Sequence, residues 1–147
     1  MNIASILATK GGQVFTARPE QSIRQALSLL AEHNVGALVI VDPAGQPVGI
    51  LSERDVVRHL AKNEGVLDAT IASIMTRELT LGMPQDDLTS VGHTMVVKRF
   101  RHLPVMDRGA LVGLVSIGDV VKAQRDQYQG EVDTLQIQLL DSGERKT

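Results

Sequence analysis

The chain has no cysteine and no tryptophan, and its only aromatic residues are Phe15, Phe100 and Tyr128. Without cysteine it can have neither a disulfide framework nor a thiolate metal site. The shortage of aromatics argues against single-stranded nucleic acid, which is usually held by stacking on aromatic rings. The net charge of −2 supplies no cationic surface for a duplex. The composition therefore predicts a protein that does not bind nucleic acid.

Long apolar runs and a basic leader are also missing. The longest clean apolar run, residues 35–41, is far shorter than the roughly 20 residues that span a bilayer. The first ten residues lack the basic and apolar regions of a signal peptide. We therefore expect a soluble, cytoplasmic protein that does not contact a membrane. His33, His59 and His93 lie far apart and fit no metal spacing, so no metal is expected.

What the chain does contain is an internal repeat. Residues 49–57 (GILSERDVV) return as residues 113–121 (GLVSIGDVV), a shift of 64. Four positions further upstream return with a shift of 65, so that Pro19, Ile23, Leu38 and Asp42 become Pro84, Leu88, Leu103 and Asp107. A period of this length indicates two copies of one supersecondary unit that must pack together. The seam between the copies is where a ligand site is expected.

Each copy shows the pattern strand, helix, strand, strand, helix, which predicts an α/β fold. Apolar residues at helical spacing from Ile23 to Ala31 indicate an amphipathic helix, with Ser22 as its N-cap. The unbroken apolar run 37–41 is typical of a strand covered on both faces. Along the chain we expect repeat 1 at 1–65, repeat 2 at 66–125, and a C-terminal helix with a frayed tail at 126–147.

The C-terminal helix carries a regular apolar seam. Tyr128, Val132, Leu135 and Leu139 are spaced 4, 3 and 4 residues apart. This spacing is typical of a helix that packs against a partner helix. It fits equally well a helix that folds back on its own domain, and the sequence leaves both interpretations open.

A serine and an aspartate three residues apart follow the last predicted strand of each copy: Ser52 with Asp55, and Ser116 with Asp119. One interpretation is a capping box, which satisfies free N–H groups at the start of a helix. Aspartate is shorter than the usual glutamate or glutamine, so we expect it to reach back less well. The other interpretation is a ligand site, because helix N-termini attract phosphate and a carboxylate can accept hydrogen bonds from both ribose hydroxyls. One turn can do both.

The motif, its duplication and residues 100–105 (FRHLPV) together resemble a tandem pair of cystathionine-β-synthase (CBS) domains, a Bateman module of the stand-alone bacterial type. The resemblance runs from Leu7 to Ala123. It implies two βαββα repeats, packed sheet to sheet about a pseudo-twofold axis. It also implies an adenine nucleotide in the clefts between them, first AMP, with ADP, ATP, NAD or S-adenosylmethionine as alternatives. The two Ser/Asp pairs would each hold a ribose.

The two copies differ where they meet the ligand. With the shift of 65, Gly36 aligns with Arg101 and Ala37 with His102. Small residues let the backbone approach a flat base, whereas cationic side chains suit phosphate. We expect sites of unequal affinity, with adenine near Gly36 and its ribose on the second Ser/Asp pair, and with phosphates on Arg101 and His102. The residues expected to contact adenine are Val35, Gly36, Ala37 and Thr76.

Other interpretations of the charged residues stay open. Arg101 also fits a solvated strand-edge charge, as do Lys98, Arg99 and Arg108. His102 also fits a satisfied core histidine. Arg54, between Ser52 and Asp55, either reaches the site or pairs with a neighbouring helix.

The resemblance implies a sensor without catalytic residues of its own. A ligand at the seam would favour one arrangement of the repeats and pass that preference to an unknown effector protein. A homodimer formed through the helices is also implied. The alternative is a structural or interaction dimer whose Ser/Asp pairs are only helix caps. No nucleophile–base pair, metal cluster or glycine-rich phosphate loop can be assembled from the sequence, which argues against an enzyme.

Overall fold

The computed structural model describes the backbone of residues 1–145 and the side chains of residues 1–141. The helices are α1 (Ile3–Lys10), α2 (Ile23–His33), α3 (Glu53–Leu60), α4 (Leu88–Lys98) and α5 (Ile117–Arg145). The strands are β1 (Thr16–Ala17), β2 (Ala37–Val41), β3 (Pro47–Ser52), β4 (His102–Asp107) and β5 (Ala110–Ser116). Two short 3-10 helices, Glu64–Asp68 and Ile71–Ser73, connect α3 to the second repeat. The α/β fold with an extended C-terminal helix is confirmed.

Each repeat has its own small sheet. In the first, β1 pairs in parallel with β2, and β2 pairs antiparallel with β3. In the second, β4 pairs antiparallel with β5. The strand predicted at the start of the second repeat is reduced to a single parallel bridge between Gly82 and Val105. The expected order of elements is therefore complete in the first repeat and shortened in the second.

The buried side chains form two clusters. The first consists of Ala17, Ile23, Ala26, Leu30, Leu38, Ile40, Leu51, Val56, Val66, Ile71 and Met75. The second consists of Ile3, Ile6, Leu88, Val91, Met95, Leu103, Val105, Val115 and Val120. Helix α1 precedes the first repeat but belongs to the second cluster. Residues 66–75 lie beyond the first repeat but belong to the first cluster, so the two repeats exchange their leading segments.

Backbone hydrogen bonds join each exchanged segment to the start of the helix that it covers. The N–H of Ile23, at the start of α2, donates to the carbonyl of Ala69 at 2.9 Å. The N–H of Leu88, at the start of α4, donates to the carbonyl of Met1 at 3.2 Å. Free N–H groups at a helix start need such partners. The boundary at residue 65 stays a prediction, and each of the two cores takes residues from both sides of it.

Helix α1 is the element that the sequence analysis missed. Asn2 caps it by accepting a hydrogen bond from the backbone N–H of Ser5 at 3.2 Å. Ile3, Ile6 and Leu7 stand at i, i+3 and i+4, the spacing of one helix face. A cap residue followed by this spacing is the signal from which the helix was predictable.

Helix α5 leaves the second core after Gln124. Residues 125–141 are all exposed, and the seam residues Tyr128, Leu135 and Leu139 are 72%, 58% and 72% exposed. The interpretation that the seam folds back on its own domain is therefore wrong. The expected fraying concerns residues 142–147, of which 146 and 147 lie outside the described residues, and α5 continues to Arg145. Within the described part of the chain, none of the helices is both long and apolar enough to cross a lipid bilayer.

Candidate functional site

A cleft of about 370 Å³ lies beside the corner where β3 passes into α3. Its walls come from the first repeat, from the segment between the repeats, and from the loop that leads into β4. Six of the ten predicted site residues line it: Gly36, Ser52, Asp55, Thr76, Arg101 and His102. The other four, which do not line it, are Val35, Ala37, Ser116 and Asp119. Gly36 thus shares a cleft with the first Ser/Asp pair, whereas the sequence analysis placed it with the second.

Ser52 and Asp55 form a reciprocal cap at the start of α3. The backbone N–H of Ser52 donates to Oδ2 of Asp55 at 2.9 Å, and the N–H of Asp55 donates to Oγ of Ser52 at 3.2 Å. The Ser52 hydroxyl donates to the same Oδ2 at 2.9 Å. The expectation that aspartate reaches back less well is therefore wrong. Oδ1 of Asp55 makes no hydrogen bond with the described residues, which leaves it available to a ligand hydroxyl.

The second corner repeats this cap but holds one more group. The N–H of Ser116 donates to Oδ2 of Asp119 at 2.9 Å, and the N–H of Asp119 donates to Oγ of Ser116 at 3.0 Å. Nζ of Lys10, from the exchanged helix α1, lies 2.8 Å from the same Oδ2. Burial alone would raise the pKa of Asp119, but the hydrogen bonds from Lys10 and Ser116 outweigh it and lower the pKa. The two corners therefore have the same backbone arrangement, but only at the second does a lysine neutralise the aspartate.

Four arginines surround the first cleft. Arg54 and Arg58 come from α3, and Arg99 and Arg101 come from the end of α4 and the loop after it. Within the described residues, none of their side chains donates a hydrogen bond or forms an ion pair. Because each guanidinium presents several donors in a fixed plane, such a group suits phosphate oxygens. The nearby carboxylates of Glu53 and Glu78 also line the cleft, so the positive charge is partly balanced.

The sequence analysis identified some of these four arginines as site residues and missed others. Arg101 was predicted as a phosphate ligand, and Arg54 was left open. Arg99, which the sequence analysis read as a solvated charge, lines the cleft. Arg58 was missed, although its position four residues after Arg54 places both on one face of α3.

The part of the cleft suited to a flat base is built mainly from backbone. Thr76 forms a bridge with Ile50 of β3, in which each N–H donates to the other residue's carbonyl at 2.9 and 3.0 Å. Gly36 also lines the cleft, and its carbonyl accepts the N–H of Glu53 at 2.9 Å. Ile50, Leu79 and Phe100 supply the apolar lining. The cleft thus has apolar as well as cationic lining residues.

A family model described as "CBS domain" matches residues 4–62 and 71–126 of the chain. The chain belongs to the CBS-domain family. It is 33% identical over 122 residues to the "CBS domain-containing protein YhcV" of Bacillus subtilis, covering 83% of this chain and 86% of that protein.

Solved CBS structures share this fold. The crystal structure of the CBS-domain containing protein ATU1752 from Agrobacterium tumefaciens is 35% identical, with a TM-score of 0.80 over 84% of this chain and 99% of that one. The CBS domain pair of protein MJ0100 is 29% identical, with a TM-score of 0.76 over 86% of this chain and 98% of that one. The MJ0100 pair was crystallised with 5′-methylthioadenosine and S-adenosyl-L-methionine.

His102 connects the two corners of this CBS pair. Its backbone pairs with Ser116 at the end of the second sheet, while it lines the cleft of the first corner. Burial lowers its pKa below the ordinary value of 6.5, and the Lys10 charge lowers it further, against the opposing influence of Asp119 and Asp55. His102 is therefore neutral at pH 7. It lies half-buried at the rim of the cleft, which differs from the alternative of a core histidine.

Metal-binding groups were not expected from the sequence. Among the residues that the structure describes, no three histidine, aspartate or glutamate side chains are grouped so that they could hold a metal ion. The polar side chains that line the cleft include the carboxylates of Glu53, Asp55 and Glu78, four guanidinium groups and the imidazole of His102.

Proposed function

We propose that this CBS pair is a regulatory module that binds an adenine nucleotide in the cleft beside Asp55 and signals to an effector protein. The observation that carries the proposal is the pairing of Asp55, which keeps one oxygen available, with four arginines drawn from both repeats. In this arrangement Asp55 accepts hydrogen bonds from the ribose hydroxyls. The arginines and His102 receive the phosphates, and the base lies beside Gly36, Ile50 and Thr76.

The arginines also rank the possible nucleotides. AMP is the ligand that the resemblance to CBS domains implies first, but four guanidinium groups favour a longer phosphate chain, because each added phosphate brings further charge to them. ADP and ATP should bind more tightly than AMP and NAD, because the pyrophosphate of NAD carries less charge than a terminal phosphate chain. S-adenosylmethionine, a ligand of the MJ0100 pair, is a sulfonium cation, and the arginines disfavour it.

Signalling follows from the origin of the cleft walls. Asp55 belongs to the first repeat, whereas Arg101 and His102 open the second sheet. A nucleotide that contacts both sides favours the arrangement of the repeats in which both contacts are made. Such a ligand shifts the equilibrium only by the difference between its affinities for the two arrangements. In this proposal the module has no catalytic role.

Isothermal titration with ATP, ADP, AMP, NAD and S-adenosylmethionine tests the proposal. Replacing Asp55 with alanine should weaken ATP binding by about 1.5–3 kcal/mol, because hydrogen bonds to a charged group are lost. Asp87→Ala is the matched control: Asp87 caps α4 by accepting the N–H of Ser90 at 3.0 Å and lies outside this cleft. It should reduce stability to a similar extent while leaving ATP affinity unchanged.

The competing function is a structural dimer in which the Ser/Asp pairs only cap helices, and the complete caps at both corners favour it. It predicts that no adenine nucleotide binds, or that Asp55→Ala and Asp87→Ala have the same effect on binding. Either result would overturn the nucleotide-sensing proposal.

We further propose that α5 pairs with α5 of a second copy. The seam of Tyr128, Val132, Leu135 and Leu139 is exposed over its whole length. The residues that flank the seam are almost all uncharged: Gln124, Gln129, Glu131, Gln136 and Gln138. Flanking positions govern which helices can associate. A row of glutamines lets two identical helices approach without like-charge repulsion, which supports a second copy as the partner.

A further inference from the structure

We propose that Lys10 closes the second Ser/Asp corner, so that this CBS pair takes one adenine nucleotide per chain although its ribose motif occurs twice. The inference rests on the proposed function at Asp55. It adds that the exchanged helix α1 contributes a residue that decides which of the two corners is used.

The contacts of Lys10 show how the corner is closed. Nζ lies 2.8 Å from Oδ2 of Asp119 and donates to the carbonyl of Leu114 at 2.9 Å. The same Oδ2 already accepts the N–H of Ser116. The Asp119 side chain is 26% exposed and that of Lys10 is 38% exposed, so the ion pair is partly shielded from water. A ribose hydroxyl that uses Oδ2 must first displace a charge-assisted hydrogen bond. Oδ1 of Asp119, like Oδ1 of Asp55, makes no hydrogen bond with the described residues, so the two corners differ in the cation that pairs with the carboxylate.

The first repeat shows what the corner looks like without such a lysine. Residues 3–7 (IASIL) return as residues 71–75 (IASIM), a shift of 68, which places Glu78 at the position of Lys10, and the shift of 64 places Ile50 at the position of Leu114. Glu78 is exposed and lines the cleft beside Asp55. No cation among the described residues pairs with Asp55.

The backbone explains why the two corners diverge. In the first repeat the chain continues from Met75 to Thr76, whose N–H donates to the Ile50 carbonyl at 2.9 Å. In the second, the residue at the position of Thr76 is Ala8, which lies inside helix α1 and forms no bridge with Leu114. The Leu114 carbonyl therefore receives the Lys10 ammonium instead of a backbone N–H. One side chain fills a hydrogen-bonding position left by the backbone and also neutralises Asp119.

The stoichiometry of ATP binding tests the inference, measured by isothermal titration and by equilibrium dialysis. The parent chain should bind one ATP, and Lys10→Met, which removes the cation and keeps an unbranched side chain, should bind two. Lys10→Arg keeps the cation and should bind one. A second aspartate substitution, Asp119→Ala, should leave ATP affinity and stoichiometry unchanged in the parent chain, and should remove only the additional ATP in the Lys10→Met background.

Each other outcome counts against the inference. Two ATP molecules on the parent chain, one on Lys10→Met, or weaker ATP binding by Asp119→Ala in the parent background overturns it. A loss of all ATP binding in Lys10→Met would show that Lys10 contacts the ligand and would also overturn it. If neither chain binds ATP, ADP or AMP, the proposed function itself fails, and the inference fails with it. Thermal unfolding of each variant confirms that the comparison is made on folded protein.

Discussion

Leu7 of α1 lies so closely over Gly113 of β5 that a Cβ at residue 113 would be 2.6 Å from Cδ2 of Leu7. The equivalent glycine of the first repeat, Gly49, has the same relationship with Met75, whose Sδ would be 2.5 Å from a Cβ there. Glycine inside a strand often marks a site where another part of the chain approaches closely. The glycine at this position of each repeat therefore leaves room for the exchanged segment that packs on its sheet, which carries Met75 in the first repeat and Leu7 in the second.

Replacing Gly49 with alanine should lower the free energy of unfolding by about 1–3 kcal/mol, the usual cost of overpacking a core. The added methyl meets Sδ and Cγ of Met75 and also the Thr76 carbonyl oxygen, at 3.1 Å, so a side-chain rotation alone cannot relieve the contact. Gly113→Ala should cost less, because its neighbours are the outer atoms of Leu7. Urea unfolding measures both.

Gly130→Ala is the control for these substitutions. It lies within α5, and nothing stands within 4 Å of an added Cβ, so alanine there should stabilise the helix by up to about 1 kcal/mol. If Gly49→Ala were as stable as the parent chain, the close seating of the exchanged segment would be refuted.

Arg101→Ala should weaken ATP binding by about tenfold or more, the loss of at least one hydrogen bond between charged groups. AMP should lose less, because its single phosphate reaches fewer of the four arginines. Arg24→Ala serves as the control, since Arg24 pairs with Asp68 at 3.2 Å on an exposed surface away from the cleft. Titration with both nucleotides gives the comparison, and an equal loss for ATP and AMP would contradict the ranking of ligands.

Acidification should destabilise the protein through His102. Its pKa in the folded state is lowered, chiefly by burial, from the ordinary value of 6.5 that applies to the unfolded chain. Between these two values the unfolded state binds more protons, so the free energy of unfolding falls as the pH drops below 6.5. The contribution of His102 to the free energy of unfolding is fully present above pH 6.5. Urea unfolding between pH 8 and pH 5 should show this dependence on pH, and His102→Gln should weaken it. If His102→Gln leaves the dependence unchanged, groups other than His102 cause it.

Charges on the seam of α5 should separate the proposed dimer. Leu135→Glu together with Leu139→Glu places like charges on both helices where apolar side chains would pack. Sedimentation equilibrium should then report a monomer, whereas the parent chain reports a dimer. Ile137→Glu, which lies off the seam on the same helix, should leave the dimer intact. A dimer that survives the double substitution would place the contact on another surface.

The repeat made much of the fold predictable, because residues that recur at one spacing must occupy equivalent positions. It also made the Ser52–Asp55 corner predictable, since its members are adjacent in the sequence and fold as one helical turn. A repeat shows which residues are alike, but it does not show which segment packs on which core. For this reason α1 was missed, and Lys10 was not connected with Asp119, which is 109 residues away.

The residues that line the cleft could be predicted only where they belong to a sequence motif. Arg101 stood out because it replaces Gly36 in the alignment of the two copies. Arg58 carries no such mark, since an arginine on a helix is usually a solvated charge, and its place at the cleft depends on how α3 is rotated. The association of Gly36 with Asp55 instead of Asp119 follows from the antiparallel pairing of β2 with β3, which places Ala37 opposite Ser52 and the Gly36 carbonyl against the N–H of Glu53. The alignment of the two copies did not use this pairing.

Because the two cores interlock, they can fold only in a certain order while the chain is being synthesised. During synthesis α1 is made before residues 88–120, yet Ile3 and Ile6 are buried only against side chains from those residues. The first core needs nothing beyond Met75 and can close while the rest is still being translated. A shortened chain that begins after Lys10 would thus keep one finished half and leave the other with an open apolar face.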